Sequence, residues 1–229
     1  MKSNIKLIIF FLLTILCISC SKKSEITLIG EYHHLKEIHD KELELYRNFY
    51  ENGGRHLFIE HGYSYASIMN WIMNNSDSFE GFLSGDRIED DLYFYQSIKE
   101  NFPETIFHGI DIEKTTCAEI WLQYLQEENL GTTEEYKIIN ESIEEEKQFF
   151  SFDIEAEKFA YREGCMTKNF IREYEKLKGQ PIFGIFGSAH TCKTEMLYID
   201  GIPTMGMRLE KEGIHYKEIN LDYITKRNR

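Results

Sequence analysis

Four short apolar runs, each closing on a glycine or an acid and each parted from the next by a long stretch of helical character, constrain this chain more than any other feature. Ile26-Thr-Leu-Ile29 ends at Gly30-Glu31, and His56-Leu-Phe-Ile59 runs into Glu60. Ile106-Phe-His-Gly-Ile110 ends at Asp111, and Pro181-Ile-Phe-Gly-Ile-Phe186 is followed directly by Gly187-Ser188-Ala189-His190. Runs this short suit strands buried on both faces. Between them, Leu35, Ile38, Leu45, Tyr46 and Phe49 fall near helical spacing before a stop at Gly53-Gly54. Phe159, Met166, Phe170, Tyr174 and Leu177 do the same between Ile154 and Lys178, with Arg162 and Glu163 interrupting the stripe. Strands linked through helices pair in parallel, because a parallel connection must cross the sheet and needs the length. The expectation is an α/β fold: a central, mostly parallel sheet flanked by helices, with a helical segment inserted between the third strand and the closing strands.

The finer boundaries follow from local chemistry. Tyr63 to Glu100 reads as two helices broken near Ser84-Gly85. Thr132-Thr-Glu-Glu135 reads as a capping box opening a helix whose inner face carries Tyr136, Ile139, Ile143 and Phe150. Gly201 to Met207 and His215 to Leu221 read as edge strands, and the basic Lys226 to Arg229 as a frayed tail.

The first residues read as an address. Lys2 and Lys6 make a basic start, Leu7 to Leu16 an apolar run too short to span a bilayer comfortably, and Ser19-Cys20 a small residue before a cysteine. The expected organisation is a lipoprotein-type signal peptide over 1–19, a tether over 20–25 and a single α/β domain over 26–229. Cys20 would carry the lipid, holding the protein to a membrane of the bacterial cell envelope, outside the cytoplasm. Cys17 stands where such signals most often place Leu, so a plain signal cut or an uncleaved anchor is the alternative. The whole chain has 26 basic and 39 acidic residues for a net charge of −13, and loss of Lys2 and Lys6 takes it to −15, which disfavours nucleic acid as a partner. Beyond Cys20 the cysteines are Cys117, Cys165 and Cys192, with no Cys-x-x-Cys pair, so neither a disulfide framework nor a cysteine zinc site is implied.

Two stretches share one layout. Gly30-Glu31-Tyr32-His33-His34 and Gly187-Ser188-Ala189-His190 each set Gly-x-x-His straight after an apolar strand. At the carboxyl end of a strand the chain turns away from the core and its side chains line the crevice where ligands bind. Glu60 and Asp111 end two further strands, so Glu31, His33 or His34, Glu60, Asp111 and His190 are candidates to converge on one sheet edge. An acid after a strand is also a common helix N-cap, a second reading of Asp111. His61 follows Glu60 and joins the candidates as a substrate contact, together with Asp111. His39 reads first as a surface helix histidine and second as a residue facing the same cleft, and His56, His108 and His215 as structural.

In motif content and order the chain resembles a superfamily made up of the erythromycin esterase-like enzymes, the Tiki and TraB/PrgY proteins and the ChaN haem-binding lipoproteins. The motifs are Gly30-Glu31-Tyr32-His33, Phe58-Ile59-Glu60, Arg162-Glu163-Gly164-Cys165-Met166-Thr167-Lys168-Asn169 and Gly187-Ser188-Ala189-His190, in that order. Any one of them alone is weak. The esterase-like branch spaces its first motif as Gly-Glu-x-x-His, which selects His34, whereas the Tiki and ChaN branches select His33. The sequence satisfies both spacings, and the match to the closing motif favours His33. Arg162 in an otherwise apolar stripe calls for an anionic partner, Glu31 or Glu60.

The resemblance implies Glu31, His33, His34, Glu60, Arg162 and His190 as catalytic residues of a hydrolase acting on a small-molecule or peptide substrate. In the esterase-like branch it implies attack by water on an ester without a metal. In the Tiki branch it implies a divalent metal, Zn, Mn or Co by ligand chemistry, held here by His33, Glu60 and His190. In the ChaN branch it implies haem binding, for which the Tyr and Phe residues between Tyr63 and Tyr95 would supply an apolar platform. A Gly-x-Ser-x-Gly elbow and a His-Glu-x-x-His helix are both absent from the sequence.

Overall fold

The computed structural model describes residues 25–33, 35–76, 78–82, 88–194 and 201–222. The signal peptide, Cys20, His34, the helix break at Ser84-Gly85 and the basic tail lie outside the described residues. Five strands form one all-parallel sheet: β1 (Ile26–Glu31), β2 (His56–Ile59), β3 (Ile106–Gly109), β4 (Ile182–Gly187) and β5 (Lys217–Asn220), in the order β3-β2-β4-β1-β5. Eight helices are found among the described residues. They are α1 (Lys36–Glu51), α2 (Tyr63–Asn75), α3 (Ile88–Asn101), α4 (Thr115–Glu127), α5 (Glu134–Ser151), α6 (Glu155–Lys176), α7 (Ser188–Thr191) and α8 (Met205–Lys211). The α/β class, the parallel pairing and the helical insertion between β3 and β4 agree with the sequence. None of the described helices is long and apolar enough to cross a membrane.

Period-two alternation sorts the strand side chains into two cores. Ile29, Leu57, Ile59, Phe107, Phe183 and Ile185 face one layer with Ile38 and Tyr46 of α1, Ala66, Met69 and Ile72 of α2, Phe94 and Ile98 of α3 and Ala118 and Trp121 of α4. Leu28, Phe58, Ile182 and Phe186 face the other, with Met166 and Phe170 of α6 and Met205 and Leu209 of α8. The chain leaving β1 and the chain leaving β2 both enter helices of the first layer. The chain leaving β4, which lies between those strands, goes on to α8 in the second. Neighbouring strands that send their continuations to opposite faces open a crevice at their carboxyl ends, and here β4 stands at its centre.

Three local expectations are corrected. Gly201 to Met207 is no strand: Thr204 accepts a hydrogen bond from the Met207 amide and starts α8, and Met205, Gly206 and Leu209 then fall on one buried face, a helical spacing hidden in a short apolar run. The capping residue of α5 is Thr133, which accepts from the Tyr136 amide, so Thr132 and Glu135 form no capping box. Glu135 instead accepts from Ser67 and from the Trp121 indole, tying α5 to α2 and α4. Phe150, expected on the inner face of α5, is 69% exposed. At the end of α1 the expected stop holds, with Gly53 at φ +91°, a conformation that side chains with a Cβ rarely adopt. Cys117, Cys165 and Cys192 are free thiols.

Candidate active site

Register places the polar residues. Glu31 pairs with Gly187 across β1 and β4, and Ile59 pairs with Ile185 across β2 and β4, so Glu31, Glu60 and the Gly187-Ser-Ala-His190 turn come out at one edge of the sheet. Asp111 follows β3 on the far side of β2, its amide donating to the His61 carbonyl. Helix α6 passes over this edge, pinned where the Asn169 amide donates to the Ile110 carbonyl at 3.2 Å, and delivers Arg162 and Glu163.

Glu60 is the hub. One oxygen, Oε1, accepts from Arg162 Nη2 at 2.7 Å and lies 3.3 Å from His190 Nε2; the other, Oε2, accepts from the Gly187 amide at 2.7 Å and lies 3.4 Å from His33 Nε2. Burial opposes ionisation of Glu60, but the hydrogen bonds and charges of His190 and His33 hold its carboxyl well below the usual carboxylate range. So many donors leave Glu60 an anchor rather than a base. Arg162 closes the other side with Nε at 3.0 Å from Asp111 Oδ1 and Nη2 at 2.6 Å from Asp111 Oδ2. This fork matches the planar guanidinium to the carboxylate, and Glu60 and Asp111 raise the Arg162 pKa further despite its burial. Of the two expected partners of Arg162, Glu60 is found and Glu31 is not, while Asp111, also read as a helix cap, is the second.

Each histidine of the paired motifs is held by its own carboxylate. His33 Nδ1 lies 2.8 Å from Glu31 Oε1, turning Nε2 toward Glu60 and the pocket. Burial lowers the His33 pKa, but Glu31 and Glu60 outweigh it and raise the value to about 10. His190 Nδ1 bonds Glu163 Oε1, and its ring stacks parallel to Phe159. The other Glu163 oxygen accepts from the Met205 amide. Burial again lowers the His190 pKa, and Glu163 and then Glu60 raise it to about 9. His33 has 39% of its side chain exposed and His190 only 6%, which makes His33 the member at the mouth. Gly187 lies between them: a Cβ there would sit 2.9 Å from His33 Nε2 and 3.4 Å from Glu60 Oε2, so glycine keeps the mouth open.

The site opens into a cavity of about 280 Å³ whose lining mixes Glu31, His39, Glu42, Asp91, Lys114 and Arg162 with the apolar Ile59, Phe94, Ile112 and Ile185. His61 belongs to the lining, stacked on Tyr65 at 4.0 Å, and its position away from water, together with Lys114, lowers its pKa to about 4, leaving a neutral imidazole. Glu163 was missed as a site residue by sequence reasoning, though it stands beside Arg162 in the quoted motif; in a helix read as solvated on one side, an acid looks like an exposed edge, yet Glu163 is fully buried. His39 is corrected too. It is buried, 2.8 Å from Glu42 and stacked on Phe94, and lines the cavity, so the second reading, facing the cleft, replaces the surface one. His56 and His108 are structural as expected, bonded to each other at 3.0 Å near the opposite end of the sheet.

His33, Glu60 and His190 do not suit a divalent cation. The Arg162 guanidinium lies 2.7 Å from Glu60 and 3.4 Å from His190 Nε2, where an ion bridging that pair would meet a fixed positive charge. Haem fits no better. Of the aromatic residues expected as its platform Phe79 is core, and although Phe94 and Tyr95 reach the wall, a cavity of about 280 Å³ shared with Glu31, Glu42, Glu60, Asp91 and Asp111 does not suit a large apolar macrocycle.

No family model and no curated protein matches the chain. Solved structures do. A Bacillus cereus protein superposes with a TM-score of 0.61 at 15% identity, over 87% of this chain and 66% of that one. A mutant of the erythromycin esterase EreC in its open conformation gives 0.58 at 15% identity, over 87% and 70%. A succinoglycan biosynthesis protein gives 0.57 at 13% identity, over 86% and 65%. The chain thus has an erythromycin esterase-like fold and spans about two thirds of the length of these proteins.

Proposed function

We propose that the protein is a hydrolase that activates water at His33 without a metal ion. The observation that carries this is the convergence of two carboxylate–imidazole pairs, Glu31 with His33 and Glu163 with His190, on Glu60 beside a fixed guanidinium. The deprotonated fraction of His33, which grows as pH rises toward about 10, takes a proton from water through Nε2 while the hydroxide adds to the carbonyl carbon of an ester, so turnover rises with pH over that range. Glu31 then faces an imidazolium, the charge state its position favours. The carbonyl oxygen becomes an oxyanion, met by the cationic edge that Arg162 and His190 form, both held in place before the reaction by Asp111, Glu60 and Glu163. Collapse breaks the bond to the leaving oxygen, which recovers the proton from His33 and departs as an alcohol. His61 and Asp111 stand on the pocket wall for substrate contacts, and the cavity volume fits a small polar acyl group, the substrate remaining a small molecule or peptide of that kind. The similarity to an esterase of the same fold supports the reaction class.

The same reading takes the chain as an exported lipoprotein, a single domain over 26–229 tethered by residues 20–25 to a lipid on Cys20 and facing outside the cytoplasm. Mass spectrometry of the protein from membranes tests this: a Cys20 amino terminus carrying acyl chains is expected, and an intact Met1 start refutes it. The hydrolytic reading is tested with a panel of small esters and amides in the presence of a chelator. Turnover is expected, with His33→Ala and Glu31→Gln each lowering it by about 10² or more, the range for general-base catalysis. Equal turnover in both variants and the parent sinks the assignment.

A further inference from the structure

A second cluster lines the same pocket and is left largely unused by that chemistry. Glu31 ends β1, and α1 brings His39 and Glu42, three residues apart on one helix face, over the end of that strand. One ligand atom from each of the three lies within 4.8 Å of the others, and all three residues are at least nine-tenths buried. Glu31 spends Oε1 on His33, and Glu42 spends Oε2 on His39. Their remaining oxygens, Glu31 Oε2 and Glu42 Oε1, are buried with no hydrogen-bond partner. Two neighbouring carboxylates with vacant lone pairs away from water are short of positive charge. Among the described residues, the hydrogen bonds and ion pairs of these two carboxylates reach only His33 and His39, in contrast to Glu60 with its Arg162.

We propose that Glu31, His39 and Glu42 bind one divalent transition-metal ion of the zinc or manganese class. Two carboxylate oxygens and one imidazole nitrogen are a donor set suited to such ions, and a mutual spacing of 4.8 Å or less is what ligands around a single ion at about 2.0–2.4 Å require. Metal binding at Nδ1 of His39 replaces its contact with Glu42. The other ring nitrogen, Nε2, lies 3.4 Å from Asp91 Oδ1, the outer carboxylate that fixes the tautomer of a metal-bound histidine. All three residues line the cavity. The site is distinct from His33, Glu60 and His190 and shares only Glu31, through its other oxygen, with the proposed base.

The test is binding, not turnover. The purified full chain is stripped with a chelator and titrated with Zn²⁺ and with Mn²⁺ by calorimetry. One ion per chain is expected, with at least a tenfold loss of affinity in the near-isosteric Glu42→Gln and in His39→Ala, and unchanged affinity in His190→Ala. Because a core variant can fail to fold, the parent protein is also followed by ¹⁵N NMR, where Zn²⁺ should shift the His39 ring nitrogens and leave those of His190 in place. Absence of saturable binding overturns the proposal and leaves a proton shared between Glu31 and Glu42. Binding undiminished in Glu42→Gln, or lost in His190→Ala, overturns it as well. None of these readouts requires hydrolysis, so failure of the hydrolase reading and failure of the metal site are separately visible.

Discussion

Glu163→Gln removes one charge from the most buried part of the site and leaves the shape almost unchanged. In the parent protein the two Glu163 oxygens accept from His190 Nδ1 and from the Met205 amide. Glutamine offers one acceptor. If it serves the Met205 amide, its NH₂ group faces His190 Nδ1, which must then accept, and the imidazole is driven to its neutral form. The size of the effect follows from the His190 pKa, raised from 6.5 to about 9 in a side chain only 6% exposed. That interval is worth about 3 kcal/mol at about 1.36 kcal/mol per pH unit. The folded value lies above the unfolded one, so this stability is fully present below pH 6.5 and is lost as pH rises through about 9. Glu163 is the largest of the raising influences and Glu60 supplies the rest, so the substitution should remove roughly 2 kcal/mol of the pH-dependent loss. Urea denaturation of both proteins at pH 6 and pH 10, with NMR titration of the His190 ring, measures it. Titration of His33 is common to both proteins and cancels in the comparison. A His190 midpoint still near 9 in Glu163→Gln, or equal loss of stability in the two proteins, refutes the reasoning.

Two further outcomes follow from single contacts. Gly187→Ala suits the backbone, at φ −53° and ψ 135°, but sets a methyl 2.9 Å from His33 Nε2; ester turnover should fall at least tenfold with the denaturation midpoint nearly unchanged, and full turnover would show that His33 does not work from this position. Glu173, 4% exposed, has its pKa raised by burial but lowered more by His108, Arg172 and Lys176, to about 2; its contribution of about 3 kcal/mol is present above pH 4.5 and lost as pH falls through about 2, so Glu173→Gln should flatten the acid limb of stability measured by denaturation between those values, and an unchanged limb would refute it.

Much of this protein was legible in its sequence because burial leaves a local record. The apolar runs at Ile26, His56, Ile106 and Ile182 had to be strands, their spacing required crossovers, and the acids and histidines at their ends had to sit on one rim of a parallel sheet. What the sequence could not hold is which strands are neighbours. Only the order β3-β2-β4-β1-β5, with β4 between β1 and β2, makes Glu60 touch both His33 and His190, because a register across strands depends on contacts between residues far apart in the chain. The same is true of rotation about a helix. Arg162 and Glu163 differ by about 100° around α6, and both meet the site only because α6 crosses the sheet edge at Asn169; His39 and Glu42 were polar positions on an amphipathic helix until packing on β1 turned them inward. Residue type and period determine what an element is, while the partner it packs against determines which of its polar groups lose water, and that loss of water is what gives a carboxylate or an imidazole its chemistry.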